Sequence, residues 1–175
     1  MPTAIKILGL LRHAKSDWDA AAARDIDRPL NARGRDAARH LGVYFKSTAT
    51  MWDLVLCSPA VRTRETATRI ETAMAAALDP VFDDRLYMAS SADLLALIRR
   101  LDDAYASVLI IGHNPGLHDL ARVLLASSAG DAADDLRSKF PTGGYAEFTL
   151  EGPWKRGAAG PAKFRRFITP RGLPA

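Results

Sequence analysis

The sequence predicts an α/β layer fold built on a mostly parallel sheet. Three observations carry this. Short, nearly all-apolar runs at 4–11, 54–57 and 107–111 have the length and composition of strands buried on both faces. Segments with helically spaced apolar residues separate them, so strand alternates with helix through most of the chain. The 175 residues suffice for one domain with a real core and are too few for two comfortable ones, so 1–175 reads as a single domain.

The first strand is followed by a polar stretch, 14–30, which carries Asp17, Asp19, Asp25, Asp27 and Pro29 and reads as a long loop. A helix is expected over 31–46, where Asn31 can cap and Ala38, Leu41, Tyr44 and Phe45 share a face. After the second strand, Ser58-Pro59 punctuates the chain, and Pro59 suits the first turn of a helix. That helix should run to Leu78, with Ala67, Ile70, Met74, Ala77 and Leu78 along one stripe, until Asp79-Pro80 ends it. A brief strand at 81–82 and a loop over 85–91 follow. Ser91 or Asp93 then caps a helix that buries Leu94, Leu97, Ile98 and Leu101. The third strand leads into helices over 116–127 and 131–139, and strands over 145–150 and 163–168 alternate well enough for a hairpin. The Gly- and Pro-rich stretch 151–161 is expected to be mobile and the tail 172–175 disordered.

Composition narrows the function classes. Hydrophobic content of 48% and charged content of 25% are those of a soluble globular protein. The net charge of +4 suits anionic partners, but the arginines are scattered, which argues against a nucleic-acid footprint. Cys57 is the only cysteine, so neither a disulfide within the chain nor a cysteine metal cluster is possible, and its place after Val55-Leu56 suits a small buried residue. The first residues lack the pattern of a signal peptide, and no apolar run is long enough to span a bilayer, so the expected location is cytoplasmic, without membrane contact.

In parallel α/β sheets, ligands bind outside the carboxyl ends of the strands. The three apolar strands end there in groups capable of chemistry: Arg12-His13, Ser58 with Arg62, and His113. Arg12 and Arg62 offer planar forks of donors that match phosphate oxygens. A neutral imidazole is a competent nucleophile toward phosphorus, and a second, protonated one can donate to a phosphoryl oxygen. Plainer readings exist: His13 as a hydrogen-bonded residue at a strand end, and Arg62 as one of the surface arginines of RTRETATR. His113 is harder to dismiss, because it leaves an apolar strand and precedes the turn signal Asn114-Pro115-Gly116. A zinc site lacks a third ligand at a characteristic spacing. His40 and His118 fall within predicted helices and read as structural or surface residues.

Four segments, LLRHAKS at 10–16, DRPLNARG at 27–34, LVLCSPAVRTRETA at 54–67 and SVLIIGHNPGL at 107–117, make the chain resemble the histidine phosphatase superfamily, the group that includes the phosphoglycerate mutases. The likeness is greatest to the small SixA-type phosphohistidine phosphatases. The resemblance implies a single-domain, three-layer αβα, phosphoglycerate mutase-like fold. It implies that His13 takes the phosphoryl group, that Arg12 and Arg62 hold it, and that His113 is the second pocket histidine. It also places Arg28 near the phosphate, with a salt bridge to Asp25 or Asp27 as the alternative. Ala14 stands where much of the superfamily has Gly, so the backbone there has to suit a Cβ. Larger relatives carry a Glu acid in an insert that this chain is too short to hold; Asp17, Asp84 and Ser90 are candidates for a general acid by position. The implied reaction is hydrolysis through a phosphohistidine enzyme, without metal or cofactor. Its implied substrate is a phosphohistidine-bearing protein of signalling or phosphotransfer, or a small phosphate ester, with a phosphate ion in the pocket. A non-catalytic phosphate-binding module is the alternative of a different class.

Overall fold

A computed structural model describes residues 4–126, 128–157 and 162–173. Its centre is a six-stranded sheet of β1 (Ile5–Arg12), β2 (Leu54–Cys57), β3 (Val81–Phe82), β4 (Ser107–Gly112), β5 (Tyr145–Glu151) and β6 (Ala162–Ile168). The spatial order is β3-β2-β4-β1-β5-β6. The first four strands are mutually parallel, β5 is antiparallel to β1, and β6 pairs antiparallel with β5. The helices are α1 (Ala32–Ser47), α2 (Val61–Met74), α3 (Ser91–Ile98), α4 (Gly116–Leu125), α5 (Asp131–Ser138) and the short α6 (Trp154–Gly157).

Strand alternation sorts the core into two halves. Leu11, Val55, Cys57, Leu109 and Ile111 face α1 and α2, where they meet Ala38, Leu41, Phe45, Ala67 and Ile70. Leu8, Leu10, Val108, Ile110 and Phe148 face the other way, toward Leu94, Ile98, Leu120 and Leu124 of α3 and α4. The sheet is thus covered on both faces, which is why its strands read as unbroken apolar runs. Gly9 is small because Tyr145, Leu109 and Trp52 close over it; a Cβ there would lie 2.9 Å from the Tyr145 ring.

Several boundaries differ from expectation. Asn31 caps α1 as expected, accepting the Gly34 N–H. The second helix begins at Val61, after Pro59 and the N-cap Ala60, and stops at Met74 rather than at 78. Ala75 turns into the left-handed region (φ 54°), and Leu78 is buried from the following loop, its N–H held by the Glu71 carboxylate. The third helix is capped by Ser90, not Ser91 or Asp93; Asp93 returns a bond to the Ser90 N–H and completes a capping box. Leu101 is only half-buried. In 151–161, Glu151 ends β5, the Gly152 N–H donates to the Ala4 carbonyl and residues 154–157 form a helical turn, so this part is not the loop expected, and 158–161 lie outside the described residues. Of the tail, 174–175 lie outside them as well, and Leu173 packs against the α1–α2 half of the core.

Candidate active site

In-register pairing decides where the chemistry gathers. Arg12 pairs with Gly112 across β1 and β4, and Cys57 pairs with Ile111 across β2 and β4. The residues that follow, His13, Ser58 and His113, therefore leave the sheet together at the carboxyl ends of three adjacent parallel strands. The rings of His13 and His113 stand 5.2 Å apart.

The turn after β1 is fixed from two sides. The Asn31 N–H donates to the Lys15 carbonyl, and α1 approaches so closely that a Cβ on Gly34 would lie 2.0 Å from that oxygen. From α2, Thr66 Oγ1 accepts the Ala14 N–H at 3.0 Å and donates to the Arg62 carbonyl. Ala14 is fully buried and does not adopt positive φ, so its methyl is accommodated without backbone strain.

The His13 Nδ1–H donates to the Ala14 carbonyl at 2.7 Å, since a carbonyl can only accept. This fixes the tautomer and leaves the lone pair on Nε2. Burial pushes the His13 pKa down to about 4; the charges of Arg62, Arg12 and Arg28 act in the same sense, against the pull of the Ala14 bond. His13 is thus a neutral imidazole at ordinary pH, with the lone pair a nucleophile needs. His113 Nδ1 lies 3.3 Å from Arg62 Nη2, which can only donate, so Nε2–H donates to Ser58 Oγ at 2.8 Å. Burial, with His13 and Arg62 beside it, lowers the His113 pKa to about 3.

Arg62 is buried at the start of α2, with Nη1 on the Asp25 carbonyl and Nη2 on the Asp25 carboxylate. Arg28 donates to the same carboxylate at 2.7 Å and to Ser16 Oγ. Tyr87 O–H is a third donor to it at 2.9 Å, its ring edge-on to His113. Burial works against a charged Asp25, but the bonds from Arg28, Tyr87 and Arg62 outweigh it and bring the pKa to about 2. Arg12 donates to the Phe140 carbonyl, which also accepts from Asn114 Nδ2. Among the described residues, the buried Nε atoms of Arg12 and Arg62 find no hydrogen-bond partner.

A cleft of about 910 Å³ opens over these groups, lined by seven lysines and arginines and by two aspartates, Asp25 and Asp135. Arg12, His13, Arg28, Arg62 and His113 all line it, so the structure brings the nominated phosphate-handling residues together. Asp17, Asp84 and Ser90 do not line it. Asp17 accepts from the Asp19 N–H, Asp84 sits in a short helical turn, and Ser90 is the α3 cap. The carboxylate at the site is Asp25, which the sequence marked only as a partner for Arg28. Asn114 and the Phe140 carbonyl were likewise missed; the turn signal Asn114-Pro115 was the sole hint. Among the described residues no three His, Cys, Asp or Glu side chains are grouped to hold a metal ion. His118 bonds the Leu136 carbonyl and His40 pairs with Arg39, both away from the cleft. Cys57 is buried, and burial pushes its thiol up to about 12.

The comparisons with known proteins agree with this geometry. Residues 8–87 match the family model of the histidine phosphatase superfamily, branch 1. An uncharacterized protein of Mycobacterium tuberculosis is 35% identical over 163 residues, covering 92% of this chain and 100% of that protein. A structure assigned as the phosphohistidine phosphatase SixA of Nakamurella multipartitia superposes with a TM-score of 0.80 at 30% identity, covering 97% of this chain and 99% of the other. The protein histidine phosphatase SixA complexed with tungstate gives a TM-score of 0.73 at 25% identity, over 96% and 99% of the two chains. With its α/β sheet, its paired histidines and its arginine forks at one sheet edge, this chain belongs to the histidine phosphatase superfamily and is a phosphatase of the SixA type.

Proposed function

We propose that this phosphatase hydrolyses phosphohistidine on proteins, through a phosphohistidine formed on its own His13 and without a metal ion. The observation that carries the reading is the His13 Nδ1–H bond to the Ala14 carbonyl, which leaves an unprotonated Nε2 facing a cleft lined by arginines. The phosphoryl group docks among Arg12, Arg62 and Arg28, whose charges and donors match its oxygens, beside a neutral His113 whose single N–H has to turn from Ser58 to reach it. Nε2 attacks phosphorus in line; the P–N bond to the substrate imidazole breaks as the new one forms. The leaving imidazole can arrive already protonated, so it needs no carboxylic acid. That suits a site whose carboxylate, Asp25, is ionised and tied to two arginines. Water then attacks the phosphoenzyme, releasing inorganic phosphate and returning the electron pair to Nε2. The likeness to SixA phosphatases, one of them holding the oxyanion tungstate, supports the same substrate class.

The test is phosphate release from a histidine-phosphorylated carrier protein and from an aryl phosphate, by wild type and by His13→Ala. Turnover of the carrier protein that vanishes in the variant, with an acid-labile label trapped on wild type alone, is the expected result. Turnover of the aryl ester only would move the substrate to small phosphate esters. Bound phosphate with no turnover of either would make this a binding module.

A further inference from the structure

Resting on the phosphohistidine-protein reading, we infer that the mouth of the cleft docks a protein segment in which carboxylates flank the phosphorylated side chain. Lys15, Arg33, Lys139 and Arg171 all line the cleft and are exposed. They come from four separate places: the turn after β1, the first turn of α1, the residue closing α5, and the helical turn Pro170–Gly172. Among the described residues none of the four side chains has an ion pair or a hydrogen bond. Among the described residues other exposed cations also lack an aspartate, Arg69, Arg99 and Arg100 among them, but these four stand around one cleft. One free carboxylate shares the mouth, Asp135, a turn ahead of Lys139 and not paired with it. Like charges brought together from four elements repel one another, and an anionic ligand turns that cost into attraction. The transferred phosphoryl group is served by the deeper arginines, so the outer four await further negative charge.

A second observation favours a protein over a small anion. Trp18, 76% exposed, and Met88, 51% exposed, stand at the same mouth. The Trp18 ring is held 3.6 Å over the Arg28 guanidinium. Exposed Trp and Met beside arginines is the composition of a protein-docking patch. Trp18, pre-positioned by an arginine of the phosphate pocket, gives an arriving segment an apolar anchor next to the reacting group.

Two synthetic peptides test this, each with one phosphohistidine, flanked in one by Glu and in the other by Gln, beside para-nitrophenyl phosphate. Wild type should prefer the Glu-flanked peptide by about tenfold in kcat/KM, and the preference should fade between about 50 and about 300 mM salt. The combined variant Arg33→Gln, Lys139→Gln and Arg171→Gln should lose the preference between the two peptides, while turnover of the Gln-flanked peptide and of the aryl ester falls by much less than that factor, which also shows that it is folded. Equal use of both peptides by wild type, or an equal drop on the aryl ester, overturns the docking surface and leaves the proposed function standing. Turnover of the aryl ester with neither peptide cleaved removes the proposed function, and the docking surface with it.

Discussion

Two neutral histidines buried side by side should make this fold sensitive to mild acid. His13 and His113 are 7% and 4% exposed, with pKa values brought down to about 4 and about 3. In the unfolded chain both titrate near 6.5. Between those values the unfolded state binds protons that the native state refuses, so stability is complete above about pH 6.5 and falls as the pH drops toward 4. At about 1.4 kcal/mol per pH unit, each histidine costs on the order of 3 kcal/mol by about pH 4. Together, at about 6 kcal/mol, they exceed the lower end of the about 5–15 kcal/mol that holds a typical domain folded. The assay is urea unfolding at a series of pH values for wild type, His13→Gln and His113→Gln, whose amides can keep the bonds to the Ala14 carbonyl and to Ser58. Each variant should lose less stability than wild type on acidification. Inorganic phosphate, which places an acceptor beside His113, should restore part of the wild-type loss. A wild-type acid slope retained in both variants would refute the reasoning.

Activity should follow the same ionisation. For an aryl phosphate, kcat/KM corrected for the ester's own titration should hold down to about pH 5 and fall through the His13 pKa of about 4; a limb near 6.5 would mean an ordinary, solvated histidine. Thr66→Val strands the buried Ala14 N–H and should cost about 1–3 kcal/mol in urea unfolding, with a lower kcat because the turn holding His13 loosens. Gly34→Ala drives a methyl into the Lys15 carbonyl and should cost about 1–3 kcal/mol as α1 shifts; unchanged stability would show that α1 is free to move away.

Strand positions were legible because burial on both faces leaves no alternation to confuse, and polar residues mark where each strand leaves the sheet. The end of α2 was not, because its apolar stripe outlasts its hydrogen bonding: Leu78 still reaches the core after Ala75 has broken the helix. Ser90 was weighed for chemistry although its spacing to Asp93 spells a cap. Asp17 and Asp84 were candidates because they lie near the motifs along the chain, and proximity in sequence is a poor guide to where a loop side chain points. Asp25 joins Arg28, three residues on, to Arg62, which is 37 residues away; only the folded loop reveals the second link.

The sheet order carries a consequence for synthesis. The strand that leads into His13 leaves the ribosome well before its two neighbours, β4 and β5, which begin at residues 107 and 145. Until both have emerged, β1 has apolar surface on two faces and unpaired backbone on two edges. A nascent or truncated chain ending near residue 87 carries the family's signature but neither partner strand. Such a piece should be insoluble and inactive, because the turn carrying His13 is braced only once β4 and β5 have paired with β1.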